Sequence, residues 1–348
     1  MRLITLLQIC LGALSGIAQQ PPIDLQWTAF NHAGGLSRTV LSGDGINTAW
    51  MIDDETLTGL SGIWTYDSVG APFEAFWPVF DAECGNSNSY VDLTWRNDTM
   101  WNITNRSVGN GESTFCMGAA IAEFGAFASF EYPLNGSLSE RATDLLLADW
   151  LYICGSIDST QTIRRQALFA FDLVGNFIWD SVFPSQQFME FSHMAMWNGQ
   201  WMVAEFPHLH QFSEIDGSLV SSQTLYVGSG SAKGRLHVAG GELYWAAHKN
   251  GIMHYGKIGS DGVEVFSSTT PANDVTGLTV DGQGRMWVTC GQGSGNIKVI
   301  DASGAGLTNY TYGHKTHDVL FANNRITIVG RQNSIGNETF LISGIPYE

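Results

Sequence analysis

Imidazole is the side chain best suited to work near neutral pH, as a general base or as a transition-metal ligand. The chain carries nine histidines, and several stand at suggestive spacings. His208 and His210 in "HLH" are two apart, so on a strand they share one face. With His317 they form the candidate metal set, for zinc or manganese. His237 and His248 flank the apolar hairpin of "GRLHVAGGELYWAAHKNG", and His193 opens "HMAMWNGQWMVAEF". These three are the candidate bases, with Tyr244 as a neighbouring phenol. Asp92, Asp144 and Asp318 each begin an apolar run. A ring of such carboxylates would suit calcium or a polar ligand. The simpler reading is that each aspartate bonds neighbouring backbone and ties segments together. For the histidines it is that polar residues collect in turns.

What positions these groups is a repeat. An apolar strand, a tight polar turn and a second apolar strand recur as "DLTWRNDTMWNI", "DLLLADWLYICG", "HMAMWNGQWMVAEF", "LHVAGGELYWAAH", "GLTVDGQGRMWVTCG" and "DVLFANNRITIVG". A weaker copy, "RTVLSGDGINTAWMI", starts at Arg38. The starts lie roughly 40 to 55 residues apart, the period of a four-stranded propeller blade. Third strands follow, such as "ALFAFDLVGN" and "NIKVIDASGAG", and then fourth strands such as "FIWDSVF". No segment keeps a helical period. The expectation is an all-β, seven-bladed β-propeller of four-stranded blades. After "ITIVGR" only one further strand remains, so "IDLQWTAF" near the N-terminus is expected to close the last blade. In this register all nine histidines fall at one rim, where successive blades are joined.

The stretch "GLTVDGQGRMWVTCGQGSGNIKVID" resembles secreted β-propellers of the NHL, SMP-30 and streptogramin-lyase-like group, and "ALFAFDLVGNFIWD" resembles quinoprotein-type repeats. The resemblance covers nearly the whole chain at the level of blades. It implies a fold and no single activity, because one propeller scaffold hosts many functions. Similarity in layout to propeller polysaccharide lyases would make a histidine or tyrosine the base of a β-elimination. A lactonase with a channel metal would instead use the three aspartates.

Composition narrows the partners. Lys and Arg total 16 against 33 Asp and Glu, a net charge of −17. Such a surface repels phosphate backbones, so nucleic acid is not an expected partner. "MRLITLLQICLGALSGIA" has a positive start, an apolar run and small residues before Gln19. Residues 1–18 are read as a signal peptide, with 19–348 as one domain. No run reaches membrane-spanning length. Export gives a secreted, periplasmic or extracellular protein, with cysteines in an oxidising compartment. Cys84 and Cys116 both map to loops at the same rim and are the expected disulfide. Cys154 and Cys290 end equivalent strands in distant blades and are expected as buried thiols. Recurrent tryptophans on the second strand read as core. Trp77, Trp150 and Trp197 are less periodic, and Trp197 is a candidate stacking platform for a sugar. No nucleophile elbow or phosphate loop is present. The expected function is an extracellular binding module for a protein or carbohydrate. The alternative is an enzyme with a histidine site and a divalent metal, Zn, Mn or Ca.

Overall fold

A computed structural model describes residues 23–346 apart from 33–35, 44–47, 55–61, 67–71, 77–87, 97–98, 110–111, 122–126, 132–138, 161–162, 229–231, 292–296, 311–314 and 332–337. The leader, Trp77, Cys84 and His314 lie outside the described residues.

The described strands form seven four-stranded antiparallel sheets. Strand β1 (Ile23–His32) is set apart from the strands that follow it. The first sheet is β2 (Leu36–Gly43), β3 (Thr48–Asp54), β4 (Gly62–Tyr66) and β5 (Pro72–Phe76). The second is β6 (Asn88–Arg96), β7 (Thr99–Gly109), β8 (Glu112–Ile121) and β9 (Phe127–Glu131). The third is β10 (Ser139–Leu147), β11 (Leu151–Thr160), β12 (Ile163–Phe171) and β13 (Phe177–Val182). The fourth is β14 (His193–Trp197), β15 (Gln200–Glu205), β16 (His208–Phe212) and β17 (Leu219–Thr224). The fifth is β18 (Lys233–Ala239), β19 (Glu242–Lys249), β20 (Ile252–Ile258) and β21 (Glu264–Pro271). The sixth is β22 (Gly277–Val280), β23 (Met286–Thr289), β24 (Ile297–Ile300) and β25 (Gly306–Tyr310). The seventh is β26 (Lys315–Ala322), β27 (Arg325–Arg331) and β28 (Glu338–Pro346), completed by β1, which pairs with β28.

The first strands of consecutive sheets pack side by side: β2 on β6, β6 on β10, β10 on β14, β14 on β18, β18 on β22, β22 on β26, and β26 back on β2. They are the inner strands.

Local sequence explains the hairpins. Asn198–Gly199, Gly240–Gly241 and Asn323–Asn324 all have positive φ and join first to second strands in sheets four, five and seven. Two such residues make the turn whose twist matches the flanking strands. Third-to-fourth turns use an aspartate instead. Asp172 Oδ1 accepts from the N–H groups of Val174 and Asn176, and Asp301 Oδ1 accepts from those of Ser303 and Ala305.

The core is divided between the sheets. In β11, Leu151 and Ile153 pack toward sheet two, while Tyr152 and Cys154 pack toward sheet four. Alternate side chains are thus buried on both faces, so "LYIC" reads as a continuous apolar run and not as an alternation. Sheet five repeats the device with Leu243, Trp245 and Ala247 against Tyr244 and Ala246. Trp201, Trp245 and Trp287 stand on the second strands of sheets four to six and are fully buried, as periodicity suggested. Cys154 and Cys290 are buried free thiols.

Candidate functional site

The inner strands carry one recurring position. Asp92, Asp144, His193, Arg235, Gly277 and Asp318 each stand directly before a buried apolar residue and pair with the same part of the second strand. Three of them reach across to the next sheet. The Leu145 N–H donates to Asp92 Oδ2 at 3.2 Å, and the Met194 N–H donates to Asp144 Oδ2 at 2.6 Å. The Leu236 N–H donates to His193 Nδ1 at 3.4 Å. Sheets two, three, four and five are therefore tied in series by one device. His193 Nδ1 also stands 3.7 Å from Asp144 Oδ2. In sheet six the position is Gly277 because a side chain there would strike Asp318 Oδ1 from sheet seven. Asp318 Oδ1 accepts from the Val319 N–H at 2.8 Å. Asp92 and Asp144 are thus backbone ties, the simpler of the two readings their position allowed. Burial, reinforced by the neighbouring Asp92 carboxylate, pushes Asp144 well above the usual carboxylate range, and the charge of Arg235 opposes this.

In sheets two, three and seven a β-bulge precedes the aspartate, between Tyr90 and Asp92, Ala142 and Asp144, and Thr316 and Asp318. A bulge re-aims the extra side chain. The residues inserted are Val91, Thr143 and His317, and all three line one cavity of about 440 Å³. Glu190, Phe191 and Ser192 from the approach to sheet four complete it, with Lys233 and Arg235 of sheet five, Asp274, Val275 and Thr276 before sheet six, and Lys315 of sheet seven. This is the mouth of the channel between the inner strands. Its rim at 189–191 is pinned from below. Gln166 donates to the Met189 carbonyl at 3.1 Å and accepts from the Phe191 N–H at 3.1 Å, and Glu205 accepts from the Met189 N–H.

The proposed histidine groups are dispersed. Lys233 pairs with His248, whereas His237 pairs with Tyr244 and lies three residues before Gly240 of the Gly240–Gly241 turn. Tyr244 and His248 are four residues apart on an extended strand, about 13 Å. His237 is therefore near the opposite end of its strand from His248, which corrects the expectation that all nine share one rim. His248 Nε2 accepts from the Gly251 N–H at 3.1 Å, a local turn contact. Tyr244 donates to Glu242 at 2.9 Å, beside Lys257. His193, His237, His248 and Tyr244 do not converge on one reacting point. His208 Nδ1 meets Thr224 at 3.2 Å, and His210 holds Ser222 at 2.7 Å and Glu205 at 2.9 Å, so both His210 ring nitrogens are engaged. His317 stands at the channel mouth in sheet seven. No group of three His, Cys, Asp or Glu among the described residues is arranged to hold a metal ion. Trp197 is a correction too: it is 5% exposed, packed between sheets four and five, and its indole N–H donates to the Gly241 carbonyl at 2.9 Å. It has no face left for a sugar. Cys116 is buried and in disulfide linkage; Cys84 lies outside the described residues.

Two features escaped the sequence reading. The Glu205–His210–Ser222 chain needed Glu205, which no motif flagged. The cavity cations Lys233 and Lys315 each open an inner strand, a shared register that could have drawn attention to them.

No family model matches the chain, and no curated protein matches it. Solved structures do. A chain of the mitotic checkpoint complex superposes with a TM-score of 0.65 at 11% identity, over 95% of this chain and 94% of that one. The WD40 β-propeller domain of Doa1 gives 0.59 at 8% identity, over 92% and 97%. BamB from Moraxella catarrhalis gives 0.52 at 11% identity, over 92% and 99%. The fold is a β-propeller. Identities this low carry the fold alone. Among the described residues of the propeller, no helix is long and apolar enough to cross a membrane.

Two outcomes follow from these contacts. Asp144→Ala should lower stability by about 1–3 kcal/mol, because the Met194 N–H loses its acceptor. Asp144→Asn should cost less, since an amide oxygen can still accept and the native carboxyl is already pushed toward neutrality. Urea unfolding at neutral pH measures both, and equal losses would contradict the tie. The second concerns His237, whose pKa burial lowers from 6.5 to about 4. Folding therefore favours its neutral form. That contribution is complete above the unfolded value of 6.5 and is lost as pH falls toward 4. It amounts to something on the order of 2 kcal/mol after allowance for solvent access. The fall in stability between pH 7 and pH 4.5 should be smaller in His237→Gln than in the native chain. An identical fall would show that His237 stays solvated.

Proposed function

We propose that this protein is an exported binding propeller of seven blades, with β1 closing the seventh, which takes its ligand at the mouth of the central channel. The observation that carries the reading is the 440 Å³ cavity, lined from several inner strands and the loops that lead into them. A cavity of that size suits a small ligand or a terminal group of a larger one. Asp92, Asp144, His193, His208, His210 and His248 are engaged in holding sheets and turns together, which favours binding over the histidine-enzyme alternative. The wider partner is an extracellular protein or a carbohydrate, in keeping with the resemblance to secreted NHL and SMP-30 propellers. Export rests on the leader-like residues 1–18.

The binding test is a glycan and peptide array probed with the mature protein, beside Ser192→Trp and Ser221→Trp. Ser192 lines the cavity, and Ser221 is exposed on the fourth strand of its sheet. The cavity variant should lose at least about tenfold in affinity for whatever the native protein captures, a change of ~1.4 kcal/mol. The outer variant should bind as before. Loss in Ser221→Trp with retention in Ser192→Trp would move the site off the channel. A separate check reads export: expressed with its leader, the recovered chain should begin at Gln19, and its unreduced peptide map should join Cys84 to Cys116. A retained Met1, or free alkylation of both cysteines, would remove that part of the proposal.

A further inference from the structure

The cavity is lined by more cations than acids, the reverse of the chain as a whole. With 16 Lys and Arg against 33 Asp and Glu, cations are scarce, yet three of them line this one cavity: Lys233, Arg235 and Lys315. The side chains of Lys233 and Lys315 make no hydrogen bond or ion pair among the described residues. Among the described residues, the one side-chain hydrogen bond of Arg235 is from its Nη1 to the carbonyl of Gly234, at 3.2 Å. Its guanidinium keeps most of its donors unspent.

The neutral groups around them are already committed. The Asn105 amide both donates to and accepts from the backbone of Ala142, at 2.9 and 2.8 Å. Thr143 donates to the Cys154 carbonyl, and Ser192 to the Ala204 carbonyl. Thr276 bonds Thr289 and the Thr316 carbonyl.

Two acids, Glu190 and Asp274, also line the cavity. Glu190 acts electrostatically on Arg164, a surface residue. Asp274 Oδ1 accepts from its neighbour Val275, and its side chain lies against Gly291. In the channel wall, burial raises the Asp144 carboxyl above its ordinary range, and the charge of Arg235 opposes this. Against these two acids the cavity presents a guanidinium fork and two ammonium groups, with the His317 imidazole beside them.

We infer that the channel mouth binds an organic anion bearing two or three carboxylate or sulfate charges. Arg235 supplies paired donors to one such group, the geometry in which guanidinium excels. Lys233 and Lys315 act as point charges for the others. The inference rests on the channel mouth being the binding site and adds the chemistry of what enters it.

The test is calorimetric titration of the mature protein with citrate, D-glucuronate, inorganic sulfate and, as the neutral control, D-glucose. Citrate should bind most tightly, with a Kd below about 1 mM at low salt. Glucuronate should follow, glucose should not bind, and added salt should weaken every anion. A preference for sulfate over citrate would identify a sulfate site within the same chemistry. The Lys233→Gln, Lys315→Gln double variant should lose citrate affinity by about tenfold or more at an unchanged melting temperature. Arg235→Lys, which keeps the charge but removes the fork, should lose less. Lys257→Gln, whose ammonium pairs with Glu242 outside the cavity, should change nothing. Citrate binding no better than glucose, or unchanged in the double variant, overturns the inference. If array ligands are lost in Ser192→Trp yet are indifferent to both lysines, the channel site stands and its anionic character falls. If citrate binds equally well to Ser192→Trp, the anion sits elsewhere, and the site assignment for anions falls with it.

Discussion

The inner edge of each sheet faces a channel and has no further strand to pair with. Its outward-pointing N–H groups must still find acceptors, because a buried orphan donor costs about 1–3 kcal/mol. This molecule answers with a side chain at one position of the neighbouring inner strand. Asp92, Asp144 and His193 each take an N–H from the next sheet. The device both satisfies the edge and sets the spacing between sheets, since a bond of about 3 Å leaves little latitude. Everything else at the channel mouth is built on those spacings.

The same position explains several choices that look unrelated. An aspartate there can accept from its own successor and from the next sheet at once, as Asp92 does with Leu93 and Leu145. The bulge before it frees one extra side chain to point at the channel mouth, and Val91, Thr143 and His317 use that freedom. Where the neighbour crowds in, only glycine fits, as at Gly277. Where sheet five needs no carboxylate, the position is Arg235, and the wall changes sign. Structure and binding character are thus set at one register of one strand.

Strands, hairpins and the pairing of β1 with β28 were legible because they rest on local chemistry: short apolar runs, tight turns of Asn and Gly, and a last blade one strand short. The buried tryptophans were legible for the same reason, as they recur at one place in the repeat. The histidine site was misread through a register shift. β18 begins at Lys233, so His237 sits near its far end, and a period-two pattern cannot fix where a strand starts. Trp197 was misread because its partner, the Gly241 carbonyl, is 44 residues away. Of the cation cluster only the shared register was legible, Lys233 and Lys315 each opening an inner strand; their meeting depends on sheets five and seven reaching one channel.

Charge layout also bears on how such a site would work. A body with a net charge of −17 repels anions over most of its surface. A cationic mouth in that field does not gain by long-range steering, as a uniformly basic protein would. It gains by contrast: an anion meets favourable potential where Lys233, Arg235 and Lys315 line one cavity. Specificity then comes largely from rejection elsewhere, and association should quicken as salt screens the repulsive body, while the bound state weakens as salt screens the contact itself. Opposite salt trends in the two rates would separate this arrangement from one driven by overall attraction.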